Sequence, residues 1–195
     1  MITRVVPVIL FLLLIPLTGC AQDRIHIRLH EGTELEQKGQ EQLERILESY
    51  KLDKWIFTDS VLIQSFVIPH SHPILTLNTR YVDNDNAQLA TFLHEQIHWF
   101  AADDTQPTEN VIETFRGMYS DVPVRGGEGA RDEYSTYLHL LICWLEFDGL
   151  RQLIGEQEAR AVFEEKTYYK WIYKKVLDEG GRIGDVVKKH GMVIG

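Results

Sequence analysis

Residues 94–98 read His-Glu-Gln-Ile-His, inside the stretch Gln88–Asp104. On a helix, side chains four apart stack one turn above another, so His94 and His98 can aim ring nitrogens at one point. Two imidazoles on one face are suited to zinc, and a catalytic zinc keeps three protein ligands and an open position for water. Glu95 lies about 100° further round the helix. From there it reaches a zinc-bound water rather than the metal, and it can move that water's proton to a leaving amine. The competing reading is an ordinary amphipathic helix that carries two histidines.

The flanking sequence supports the helix the pair requires. Asp83-Asn84-Asp85-Asn86 forms a turn able to cap a helix from Ala87 to about Ala102, with Leu89, Phe92, Leu93, Ile97 and Phe100 as its apolar face. Before it, a helix is expected from Leu35 to Tyr50, then two or three short strands between Trp55 and Val82, rich in β-branched and aromatic residues and interrupted by Pro69 and Pro73. After it, a helix opens near Pro107, residues 121–129 form a glycine-rich loop, and Ala130 to about Phe147 reads as a strongly apolar helix. A last long helix is expected from Glu156 to Glu179, ending at Gly180-Gly181, with a short helical turn possible in 182–190. Ile25–His30 alternates like a short strand or belongs to a tether. The order of elements implies α+β.

The helix 130–147 offers Asp132, Glu133 and His139 as a third ligand. If Tyr134, Leu138, Leu141 and Leu145 form its core stripe, Glu133 sits at the edge of that stripe and Asp132 and His139 fall on the far side. This angular argument selects Glu133; its alternative role is a helix N-terminal carboxylate favoured by the dipole. Arg131, Tyr134, Tyr137 and His139 are candidates to donate to a developing oxyanion. His70-Ser71-His72 reads as a solvated loop or as a second metal site. Tyr168, Tyr169, Trp171 and Tyr173 read as packing for the last helix.

At His94, Glu95 and His98 the chain resembles the zincin metallopeptidases. Phe100–Thr105 lacks the glycine and third histidine of the metzincin extension, which leaves a gluzincin-like or aspzincin-like arrangement with a carboxylate ligand on a downstream helix. The resemblance implies a zincin-like fold, in which a small twisted sheet packs on the active-site helix and a helical part follows. It also implies Zn2+ bound by His94, His98 and Glu133, Glu95 as general base, and a peptide or protein substrate that pairs with an edge strand, here between Trp55 and Asn78. Neither acid is followed four residues on by the aspartate many gluzincins carry. A non-catalytic zinc-containing lipoprotein that binds peptides or envelope partners is the alternative, though an intact Glu95 argues against lost activity.

The 195 residues favour one domain, with 44% hydrophobic and 25% charged residues, as expected of a globular chain. A net charge of -9 and no basic cluster exclude nucleic acid as an expected partner. Residues 1–19 read as a signal peptide. Leu17-Thr18-Gly19-Cys20 resembles the bacterial lipoprotein cleavage box, which implies lipidation at Cys20, a tether over residues 20–30, a single domain over 31–195, and an extracytoplasmic, membrane-anchored location in the cell envelope. Ala21 after the cysteine resembles outer-membrane sorting in a Gram-negative host. Of two cysteines, Cys143 is left without a partner, and its apolar surroundings suggest a buried, inert thiol.

Overall fold

A computed structural model describes residues 25–195; the expected leader and Cys20 lie outside the described residues. The architecture is mixed α/β, with a small parallel sheet and a larger helical body. Strand β1 (His26–Leu29) leads through helix α1 (Glu34–Ser49) to β2 (Ser60–Ile63), which pairs with it in parallel, His26 beside Ser60 and Leu29 beside Ile63. Residues 26–29 thus belong to the folded sheet, not to the tether. Strand β3 (Leu75–Leu77) pairs in parallel on the other side of β2, giving the order β1-β2-β3. An α+β chain was expected to separate sheet from helices; the β1-α1-β2 unit departs from that.

Helix α1 starts with a capping box, in which the Thr33 hydroxyl accepts from the Glu36 amide and the Glu36 carboxylate accepts from the Thr33 amide. Leu43, Ile46 and Leu47 then bury the face that meets the sheet. Helix α2 (Asp85–Asp103) carries the His-Glu-Gln-Ile-His motif and is capped by Asn84, whose side chain accepts from the Ala87 amide. Helices α3 (Thr105–Met118), α4 (Glu133–Ile154), α5 (Glu156–Glu164) and α6 (Lys170–Lys189) complete the body.

Two helical expectations change. Residues 156–179 are not one helix: α5 ends at Glu164, and α6 joins two helical segments across a kink at Glu179, where the sequence ends its helix, before running on to Lys189. Trp144 on α4 packs against the chain at this kink. Glu179 departs from helical geometry (φ -122°, ψ 19°), and the Trp144 indole N–H donates to the Gly180 carbonyl at 2.7 Å. One turn later a Cβ on Gly184 would stand 2.4 Å from the Trp144 ring, so only glycine lets the two helices close there.

Helix α4 is also not amphipathic in the expected sense. From Leu140 to Phe147 every residue is buried, while Tyr134 is exposed and Leu138 half-buried. A helix enclosed on all sides has no single apolar stripe from which to read a direction.

Candidate metal centre

Helix α2 is held in register with the sheet by the middle residue of its motif. The Gln96 side chain accepts from the Phe57 and Thr58 amides and donates to the Thr58 carbonyl, fixing the helix to the chain that enters β2. Ile97 is buried in the core beside it. His94 and His98 then project from the opposite side, toward α4.

They meet His139 of α4. The three ring centroids lie 5.0 Å (94–98), 5.1 Å (98–139) and 5.6 Å (94–139) apart, and ligand nitrogens from all three fall within 4.8 Å of one another. His94 is buried while His98 and His139 are half-buried, so the group opens to solvent on one side.

Hydrogen bonds set which nitrogen faces the shared point. His139 Nδ1 lies 2.6 Å from the Ser135 carbonyl, which can only accept, so Nδ1 carries the proton and Nε2 a lone pair. His94 Nδ1 lies 2.8 Å from Glu146 Oε2, which imposes the same tautomer when the ring is neutral. Burial, reinforced by the other histidines, holds the His98 imidazole well below its ordinary basicity and the His139 imidazole at a pKa of about 4. Burial also opposes charge on His94, but the bond and charge of Glu146 outweigh it and raise its pKa. The neutral imidazoles of His98 and His139 suit a metal ion, His94 would join them on losing its second proton, and an all-nitrogen set suits zinc.

Glu146 is fully buried in the middle of α4 and is the residue the sequence reading missed. Its Oε2 accepts from His94 Nδ1, while Oε1 has no hydrogen-bond partner and faces the Lys166 ammonium at 3.9 Å. Lys166, itself buried, stands over the rings of Tyr81, Tyr168 and Tyr173 at 5.7–5.9 Å. A carboxylate behind a ligating histidine orients its ring and raises its basicity. The available signal was a lone glutamate in the apolar run Leu140–Phe147, seven residues after His139 and so on the same helical face. His94, Cys143 and Glu146 also cluster closely, but that set would use the nitrogen already bonded to Glu146, beside the Lys166 cation. Cys143 is buried, as expected, and burial pushes its thiol well above the ordinary range, against the thiolate a metal needs.

Glu133, selected by the angular argument, is not brought to the histidines. It is the first residue of α4, its side chain is 62% exposed, and it pairs with Arg116 at 3.8 Å. Asp132 is the N-cap, accepting from the Ser135 amide at 2.7 Å, a bond that holds its carboxyl down at about 2. His139, placed on the far side from sequence, faces α2 instead. The stripe that misdirected the argument began at Tyr134, whose hydroxyl reaches out to Glu109.

Glu95 is buried, and burial raises its carboxyl pKa, with His94, His70 and Lys166 opposing the shift and Glu146 adding to it. Three of the expected oxyanion donors are engaged elsewhere: Tyr134 with Glu109, Tyr137 with the Tyr119 carbonyl and Arg131 with Asp132. Tyr169 is better placed. Its ring lies 4.6 Å from that of His139, and burial, followed by the nearby Cys143 and Glu95, lifts its phenol to about 12. It sits in the left-handed region (φ 53°, ψ 35°), a conformation that costs a non-glycine residue of order 1 kcal/mol or more. The loop 121–129 fixes it there, since Gly127 and Glu128 carbonyls accept from the Lys170 and Trp171 amides. His70 and His72 do not form a second metal group among the described residues; the His72 ring stacks on Trp99 at 4.2 Å.

Comparison with protein-family models, with curated proteins and with solved structures finds no match to this chain.

Proposed function

We propose that the chain is a zinc-dependent hydrolase of peptide bonds, with His94, His98 and His139 as metal ligands and Glu95 as general base. The observation that carries this reading is the convergence of three imidazoles, two with their Nδ1 bonded to fixed acceptors, beside a buried glutamate. Bound zinc would supply Lewis acidity and lower the pKa of a water to about 7. Glu95 takes a proton from the attacking water as its oxygen bonds to the carbonyl carbon. It delivers that proton to the amide nitrogen as the C–N bond breaks, so the carboxylate is regenerated. Burial suits Glu95 to hold the proton in between, because it stabilises the neutral carboxyl. The Tyr169 hydroxyl is the group best placed to donate to the carbonyl oxygen as charge develops there.

The zincin-like family, the lipid anchor at Cys20 and the extracytoplasmic envelope location remain part of this proposal. They rest on the His-Glu-Gln-Ile-His spacing and on Leu17–Cys20.

Metal analysis of the untagged protein tests the reading. About one zinc per chain is expected, retained in Glu133→Ala and largely lost in His94→Ala, His98→Ala and His139→Ala. Zinc undiminished in His139→Ala refutes the ligand set. One zinc per chain without turnover on any peptide library favours a zinc-containing binding protein.

A further inference from the structure

Strands β2 and β3 are parallel neighbours, so the chain between them must travel back along the sheet before it can enter β3. Residues 64–74 make this return without a helix. They pass outside β3, where His70 forms an antiparallel bridge to Thr76. The crossover is anchored at both ends. At its start the Gln64 amide donates to the Leu77 carbonyl (3.0 Å), the Ser65 amide to Glu36 (3.2 Å) and the Asn78 side chain to the Val67 carbonyl (2.9 Å). At its end the Trp99 indole donates to the Ser71 carbonyl (2.9 Å), and His72 stacks on the same indole, one residue past His98.

On either side of the Val67 anchor stand the two most exposed large apolar side chains among the described residues, Phe66 at 95% and Ile68 at 85%. Phe66 is held at φ 60°, where a bulky residue is strained. The fold therefore keeps this ring in solvent against both the hydrophobic effect and the backbone preference. The run from Gln64 to Ile74 holds no aspartate, glutamate, lysine or arginine.

We infer that the crossover is the specificity element of the proposed site and that it selects polypeptide segments with bulky apolar side chains, which pack on Phe66 and Ile68. The inference rests on the hydrolase reading. Four residues separate Phe66 from His70, at most about 14 Å of chain. His70 in turn stands close enough to Glu95 for their charges to interact, so a segment lying along the crossover with its scissile bond near Glu95 and His70 places side chains about two to four residues away over these two. A lipid surface fits less well. The crossover lacks the basic residues that draw a loop to anionic headgroups, and the chain carries a net charge of -9. The parallel register also puts Phe66 beyond the Ile63 end of the sheet, opposite the end at which the described chain enters.

The test uses the full chain in detergent, zinc-loaded and carrying Glu95→Gln, incubated with a random peptide library. Retained peptides are expected to be enriched in bulky apolar residues. Adding Phe66→Ser and Ile68→Ser is expected to weaken binding of those peptides about tenfold or more, with zinc content and melting temperature unchanged. Phe66→Leu with Ile68→Val is expected to keep most of the binding. Retained peptides without apolar enrichment, or equal affinity in the serine variant, overturn the inference and leave the hydrolase reading standing. Failure to retain any peptide, together with absent turnover in the zinc-loaded wild type, overturns both. If the serine pair instead abolishes binding to phosphatidylcholine–phosphatidylglycerol vesicles and leaves peptide binding intact, the surface is a membrane contact and the inference fails.

Discussion

Glu36 and Glu146 are both buried carboxylates on helices, one beside the sheet and one in the helical body, and they are satisfied in opposite ways. Glu36 accepts only from backbone amides: Glu31, Gly32 and Thr33 on one oxygen, Ser65 on the other. Burial works against its charge, but the four neutral donors more than compensate, so its pKa falls below the ordinary 4.5. It ties the turn after β1 and the start of the β2–β3 crossover to α1, which is an architectural task. Glu146 accepts from a single side chain, His94, and leaves its other oxygen without a hydrogen bond opposite Lys166. A carboxylate fully met by the backbone serves the fold. One that is half met, and tied to a ligand candidate, serves the site.

Substitutions can separate the two roles. The largest expected effect belongs to a third buried acid, Glu95, which the proposal assigns to chemistry alone. Glu95→Gln should cut turnover at least about 100-fold, as for a lost general base, while zinc content and melting temperature hold. Unchanged turnover would remove Glu95 from the mechanism. Next comes Glu146→Gln. Its zinc affinity, measured by competition with a chelator, should fall about 10- to 100-fold. An unaltered affinity would make Glu146 an architectural residue after all and collapse the contrast with Glu36.

Glu36→Gln should do the reverse. The amide offers one acceptor oxygen where the carboxylate offered two, so either Ser65 or the turn at residues 31–33 loses its partner. Denaturant unfolding should show a loss of about 1–2 kcal/mol, with zinc affinity of the folded protein preserved. The sign of its pH dependence follows from the lowered folded pKa. The stabilisation is present in full above the unfolded value and is lost as pH falls through it toward the folded one. Wild type minus Glu36→Gln stability should therefore shrink below about pH 5; a gap that widens on acidification would contradict the assignment. The smallest effect is expected for Asp132→Ala, which removes a half-buried N-cap. It should lower the melting temperature less than Glu36→Gln does and leave zinc in place.

The sequence carried two of the three proposed ligands openly. His94 and His98 are legible because four-residue spacing on a helix is a local rule, and the helix bounds were near those observed. His139 and Glu146 were not, because their direction depends on how α4 packs, and a helix buried all round gives no stripe to orient it. The strands were legible as short β-branched runs, but their parallel order was not. A parallel neighbour without a helical crossover leaves no periodic signature in residues 64–74. The glycine pair marks the kink at Glu179, but the Trp144 contacts that join the two segments of α6 were hidden, since they come from 36 and more residues away.

The antiparallel bridge between His70 and Thr76 has a further consequence, for self-association. Both the amide and the carbonyl of Thr76 are bonded to His70, so β3 has no free ladder there to offer a second chain. Among the described residues the open edge of the sheet is therefore β1, which is only four residues long and alternates exposed and half-buried positions, with the polar His26 and Arg28 facing outward. Short, polar edges are poor templates for strand addition. The excursion that displays Phe66 and Ile68 thus also caps the sheet on its most buried strand, where pairing between molecules would otherwise begin.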